Sequence, residues 1–146
     1  MSERYDSLDM LGVTQALPEQ FDDARRAAVE VAQQADGVPA GDAIDAVVVV
    51  GMGGSGIGGD VLAAIGAGVA PCPIVVSKGY TLPAFVGPRT LVIGASFSGN
   101  TEETLEAISG AEAAGAPWVA VTSGGQLAER ATAAGRPVLP LSLIHI

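Results

Sequence analysis

The apolar positions of this chain follow two rhythms, and the change from one to the other comes at Ala46. Before it, Phe21, Ala24, Ala28, Val31 and Ala35 recur at spacings of three and four, with Asp22, Asp23, Arg25, Arg26 and Glu30 between them. That period predicts an amphipathic helix whose apolar stripe turns inward and whose charges face water. Pro18 after Leu17 suits the first turn of such a helix, and Gly37 and Pro39 end it. Residues 1–17 read as a flexible lead-in. After Ala46, short apolar runs rich in β-branched residues take over at 47–50, 74–76, 91–93 and 118–121, with a weaker one at 137–139. Ala-rich helical stretches separate most of them. Strands that are continuously apolar are buried on both faces, and strands alternating with helices are joined by right-handed crossovers. The pattern therefore predicts an α/β fold, a parallel sheet with helices on both sides, preceded by an N-terminal helix. Residues 79–88 break the alternation: Gly, Pro and Tyr80 replace helical periodicity, which predicts an irregular connection.

Composition narrows this picture. With 146 residues, 49% hydrophobic and 16% charged, the chain has material for one core and is too apolar to be intrinsically disordered. Seven Lys plus Arg against sixteen Asp plus Glu give a net charge of −9, without a basic cluster, which argues against nucleic acid or an anionic membrane as partner. Cys72 is the single cysteine, so neither an intrachain disulfide nor a Cys-based zinc site is expected. No apolar run approaches the ~18 residues of a membrane span, and the N-terminus carries acids and no signal-type apolar region. The expected location is cytoplasmic, consistent with the cysteine usage.

Candidate chemistry lies where strands end. Gly51-Met52-Gly53-Gly54-Ser55-Gly56 follows the first strand and opens a helical run, the context in which backbone N–H groups and a helix dipole receive an anion. The same residues satisfy a G-x-G-x-x-G spacing. A dinucleotide site, however, expects an acid at the end of the second strand, and Ser77-Lys78-Gly79 stands there instead. No P-loop pattern occurs either, which argues against nucleotide hydrolysis. A second loop, Ser96-Phe97-Ser98-Gly99-Asn100-Thr101-Glu102-Glu103-Thr104, again separates a strand from a helix. Its hydroxyls and N-terminal amides can satisfy a phosphomonoester without a cation. Helix capping, with Glu102 or Glu103 reaching back, accounts for one hydroxyl and leaves Ser96 and Ser98 unexplained. The two acids must then point aside from a bound dianion. A third loop, Thr122-Ser123-Gly124-Gly125, is weaker, since Gly pairs after strands are usually turns.

Taken together with Asp60, Tyr80-Thr81-Leu82-Pro83 and Thr90-Leu91-Val92-Ile93, these motifs resemble the first sugar isomerase (SIS) domain of the bifunctional phosphoglucose/phosphomannose isomerases, over about residues 45–139. The resemblance implies a three-layer αβα sandwich with a five-stranded parallel sheet of flavodoxin-like order. It implies interconversion of glucose 6-phosphate or mannose 6-phosphate with fructose 6-phosphate through an enediolate, without cofactor or metal, in a full-length homodimer with two such domains per subunit. Position by position, the family's phosphate and sugar contacts fall on Gly54, Ser55, Ser96, Ser98 and Thr101. The family's catalytic Glu, His and Lys and its substrate Arg correspond to nothing in this chain; Lys78 does not match that Lys. The expected organisation is a lead-in and helix at 1–40, the sugar-phosphate-binding domain at 41–140, and a tail at 141–146, containing His145, that is foreign to the family pattern. On this reading the chain is an N-terminal fragment without catalytic residues of its own. Two alternatives are a non-catalytic sugar-phosphate-binding regulatory module, which a basic helix-turn-helix would mark and the acidic 18–35 helix does not, and a nicotinamide-dependent oxidoreductase.

Overall fold

Five strands, β1 (Ala46–Val50), β2 (Ile74–Ser77), β3 (Thr90–Ala95), β4 (Trp118–Thr122) and β5 (Val138–Pro140), form one all-parallel sheet in the order β2-β1-β3-β4-β5. The computed structural model describes residues 9–34 and 38–141, so His145 and the other tail residues beyond Leu141 lie outside the described residues. Each predicted run is a strand, and the order is the flavodoxin-like one. It reverses direction between β1 and β3, and in open α/β sheets ligands collect beyond the carboxyl ends of the strands at such a point.

The two faces of the sheet are covered differently. On one, Val48, Val50, Val92, Trp118 and Ala120 pack against Ala107, Ile108 and Ala111 of α4 (Glu102–Ala113) and Leu127 and Ala131 of α5 (Gly125–Ala133). On the other lies α3 (Gly53–Gly66), which turns glycines to the strands. A Cβ on Gly59 would stand 2.9 Å from Val49 Cγ1, and one on Gly66 would stand 2.4 Å from Ile74 Cδ1. The helix can seat only because those side chains are missing. Its larger apolar residues, Ile57, Val61, Leu62 and Ile65, are left exposed. The connection after β2 is irregular, as its composition predicts, and packs Leu82 and Val86 against the core.

The N-terminal region departs from expectation in two ways. Part of the supposed flexible lead-in is helical: α1 (Met10–Gln15) starts with the Val13 amide donating to Asp9 O at 3.0 Å, and the Thr14 hydroxyl bonds back to Met10 O. Gly12 inside a mixed sequence hides that helix from periodicity. The second helix, α2 (Leu17–Gln34), forms where predicted, but its stripe is not turned inward: Phe21 is 72% exposed, Ala24 is exposed and Ala28 half-buried. Ala35 lies outside the described residues. The helix meets the sheet at β5, an edge strand of three residues, too short a surface to take the whole stripe. Among the described residues no helix is long and apolar enough to cross a membrane.

An ion pair links the entries to two central strands. Arg89 Nε and Nη2 each donate to the Asp45 carboxylate at 2.6 Å. That hydrogen bonding, with the guanidinium charge, holds the Asp45 carboxyl below its ordinary pKa. The sign follows: the stabilisation is full above the ordinary carboxylate pKa and is lost as pH falls through the depressed one. Replacing Arg89→Ala is expected to return the Asp45 titration, followed by carboxyl carbon shifts in NMR, to the usual range. Because the pair is exposed, little change in melting temperature should accompany it.

Candidate functional site: two uncapped helix starts on one cavity

Gly51 leaves β1 at the switch point. A Cβ there would sit 3.0 Å from Ala95 O, at the end of neighbouring β3, so only glycine lets the two strand ends come this close. Gly53 follows at φ +52°, and α3 begins without a side-chain cap at Met52. Its first intrahelical bond is donated by the Gly56 amide to Met52 O at 3.2 Å, which leaves the amides of Gly53, Gly54 and Ser55 at the open end.

The second loop opens α4 in the same way. Thr101 occupies the N-cap position, yet its hydroxyl makes no cap bond. It lies 2.7 Å from Ser96 Oγ. Ser96 is 2% exposed, and its oxygen also accepts from the Gly99 amide at 3.2 Å. A serine hydroxyl has one proton, and Ser96 can give it to Thr101 Oγ1, leaving the Thr101 proton for an external acceptor. Ser98 Oγ accepts from the Asn100 amide at 3.2 Å and likewise keeps its own proton. The capping explanation of this loop therefore does not describe Thr101, and neither Glu102 nor Glu103 reaches back to it.

Both loops border one cavity of about 660 Å³. Gly54, Ser55, Ser98 and Thr101 form its polar rim, while Val49, Ile93 and Val121 floor it along the face of the sheet that α3 covers only in part, and Leu62 of α3 also lines it. Four of the five residues expected from sequence thus meet at one place. Ser96 is the difference: it stands behind Thr101 and outside the lining, because its hydroxyl is consumed inside the loop. The apolar floor escaped the sequence reading, although it is legible in retrospect as the strand residues alternate to Val48, Val92 and Ala120.

Among the described residues no titratable side chain lines the cavity. The nearby lysine, Lys78, is bound to Asp60 of α3 in a half-exposed ion pair, its chain passing over Gly56. Glu102 and Glu103 do lie aside from the rim, near Tyr80 of the β2–β3 connection, whose phenol pKa their charges raise, Glu102 most. A neutral phenol there is favoured to higher pH. The Glu102→Gln change is expected to lower the Tyr80 ionisation midpoint in a 295 nm absorbance titration. The third loop does not line the cavity. Among the described residues no group of three or more His, Cys, Asp or Glu is placed to hold a metal. What remains is a set of neutral donors and two positive helix ends aimed at one space, suited to an anion of several oxygens.

No family model matches the chain. Over 98 residues it is 47% identical to a bifunctional phosphoglucose/phosphomannose isomerase of Caldicellulosiruptor bescii, a match covering 67% of this chain and 29% of the relative. It is 35% identical over 105 residues to a D-glucosamine-6-phosphate 4-epimerase of Sulfolobus acidocaldarius, covering 71% of this chain and 33% of that protein. The chain thus spans about a third or less of the length of these curated relatives. Among solved structures it superposes on the sugar isomerase domain of an RpiR transcription factor from Sphaerobacter thermophilus with TM-score 0.53 and 26% identity, covering 86% of this chain and 75% of that one.

Proposed function

Because this chain is a sequence relative of the bifunctional phosphoglucose/phosphomannose isomerases, with the fold of a sugar isomerase (SIS) domain, we propose that it holds the phosphate of a hexose 6-phosphate. The observation that carries the reading is the pair of uncapped helix starts, α3 and α4, opening on one hydroxyl-rimmed cavity. A phosphate dianion there receives amides from both helices and protons from Ser55, Ser98 and Thr101, with Gly54 allowing close approach of backbone. Ser96 acts one step back, through Thr101.

Relatives named for different reactions, an isomerisation and a 4-epimerisation, each align with about two thirds or more of this chain. Their names share a phosphorylated hexose, which is the feature this portion is suited to recognise. Aldose–ketose isomerisation to fructose 6-phosphate through an enediolate needs a base within hydrogen-bond reach of a carbon-bound proton. The cavity lining offers none, so in this reading the described residues bind and orient while proton transfer belongs to groups outside them. A longer homodimeric form would bring those groups.

Calorimetric titration with fructose 6-phosphate, glucose 6-phosphate and inorganic phosphate, alongside a coupled isomerase assay, tests both halves. Saturable binding of all three without turnover is expected. Turnover by this chain would refute the assignment of chemistry elsewhere, and absence of binding would refute the site. A regulatory module using the same ligand is the second reading, favoured by the transcription-factor domain it superposes on. The net charge of −9 argues against direct DNA contact by this chain.

A further inference from the structure

The turn after β4 was the weakest motif of the sequence, and it contributes nothing to the cavity lining. It is nevertheless tied to the second loop along its length. Phe97 O accepts from the Ser123 amide at 3.1 Å, from Ser123 Oγ at 2.6 Å and, at 3.4 Å, from Thr122 Oγ1. Gly99 O accepts from the Leu127 amide at 2.9 Å. Asn100 Oδ1 accepts from the Gln126 amide at 3.1 Å, and so serves the start of α5. The backbones touch as well: a Cβ on Gly125, at φ +69°, would fall 2.3 Å from Ser98 O, and one on Gly99 would fall 1.8 Å from Gly124 O.

We propose that Ser123 and Asn100 are positioning residues of the anion site, holding the Ser98–Thr101 segment in its gripping conformation from outside the cavity. In a trans peptide the N–H of Ser98 points opposite to the C=O of Phe97. Drawing that carbonyl onto Ser123 therefore turns the Ser98 amide away from the β4–α5 turn. Pinning Gly99 O onto α5 fixes the next peptide but one, and with it the Asn100 amide that orients Ser98 Oγ. Pre-set donors lose less freedom on binding than a mobile loop does, so these bonds act on affinity through residues that touch the ligand. The charges are those of neutral groups throughout, which keeps the device indifferent to pH near neutrality.

This inference rests on the sugar-phosphate reading of the cavity, and the test separates the two. Fructose 6-phosphate and inorganic phosphate are titrated calorimetrically into the parent chain and into Ser123→Ala, Ser123→Thr, Asn100→Ala, Gly125→Ala and Ser98→Ala. Losing one such bond is expected to weaken affinity about three- to tenfold in Ser123→Ala and Asn100→Ala. Ser123→Thr, which keeps the hydroxyl, should remain within about twofold of the parent, while Gly125→Ala should lose more than about tenfold. The Ser98 amide resonance should move in the unliganded Ser123→Ala protein and return in Ser123→Thr, with melting temperature unchanged, since Ser123 is exposed. If Ser98→Ala loses affinity but the Ser123, Asn100 and Gly125 variants bind like the parent, the positioning role is overturned and the site stands. If Ser123→Thr is as weak as Ser123→Ala, the hydroxyl is not the agent and the role is overturned too. If the parent binds neither probe, the site itself fails and this role with it.

Discussion

Alanine at Ser55, Ser98 and Thr101 together is expected to abolish measurable binding of hexose 6-phosphates while leaving the fold intact. A hydrogen bond to a charged acceptor contributes about 1.5–3 kcal/mol, so each lost hydroxyl should weaken binding by about tenfold or more. The three losses fall on one phosphate group, and among the described residues no side-chain cation lines the cavity to compensate. The fold should survive, since Ser98 is exposed and Ser55 and Thr101 are half-buried at a rim, with a stability cost from the buried Ser96 hydroxyl, which loses Thr101 as its partner. Ser96→Ala should behave differently. It removes a hydroxyl that is 2% exposed and leaves the Gly99 amide without its side-chain acceptor. Because that amide still donates to Ser96 O at 3.2 Å, a stability loss of about 0.5–1.5 kcal/mol should then accompany weaker binding. Calorimetry paired with thermal melts distinguishes the two variants, and a triple variant that binds like the parent would remove the basis of the proposed function.

The largest effect on stability is expected from Trp118→Ala. Trp118 opens β4, is fully buried, and belongs to the cluster formed with Val92, Ile108, Ala111 and Leu127. Truncating it removes the transfer free energy of the indole and leaves a void that the strand and two helices close only in part, about 3–5 kcal/mol in all. For a chain of this size that corresponds to a fall of about 10 °C or more in melting temperature. Trp118→Phe should cost far less. The indole Nε1 is buried with no hydrogen-bond partner among the described residues, so the change also relieves an unsatisfied donor against a smaller loss of packing. Since this is the chain's one tryptophan, melts should be followed by circular dichroism. Both variants delete the unpaired N–H, so the difference between them reads the packing that the phenyl ring restores, and equal destabilisation by Phe and Ala would show that it restores none.

Much of this molecule could be read from residue order. The β-branched runs became the strands of the sheet because a parallel strand buried on both faces needs apolar residues at every position, a demand that leaves a local mark. The glycines at 51 and 53 and the hydroxyls at 55, 98 and 101 were likewise legible, because a loop that ends a strand and starts a helix places its amides by connectivity alone. Only the tertiary structure decided what each face meets. Phe21 sits on a well-formed amphipathic helix yet stays in water, because the partner it reaches is a short edge strand. Helix α3 seats on its glycines and exposes Ile57, Val61 and Ile65, since close approach to the sheet outranks hydrophobicity along that face. Ser96 and Ser98, two residues apart in the same motif, went to the interior of a loop and to its rim, and Ser123 found Phe97 across a crossover of 26 positions. Periodicity reports which side chains avoid water; which backbone groups they satisfy depends on chain segments brought together only when the sheet closes.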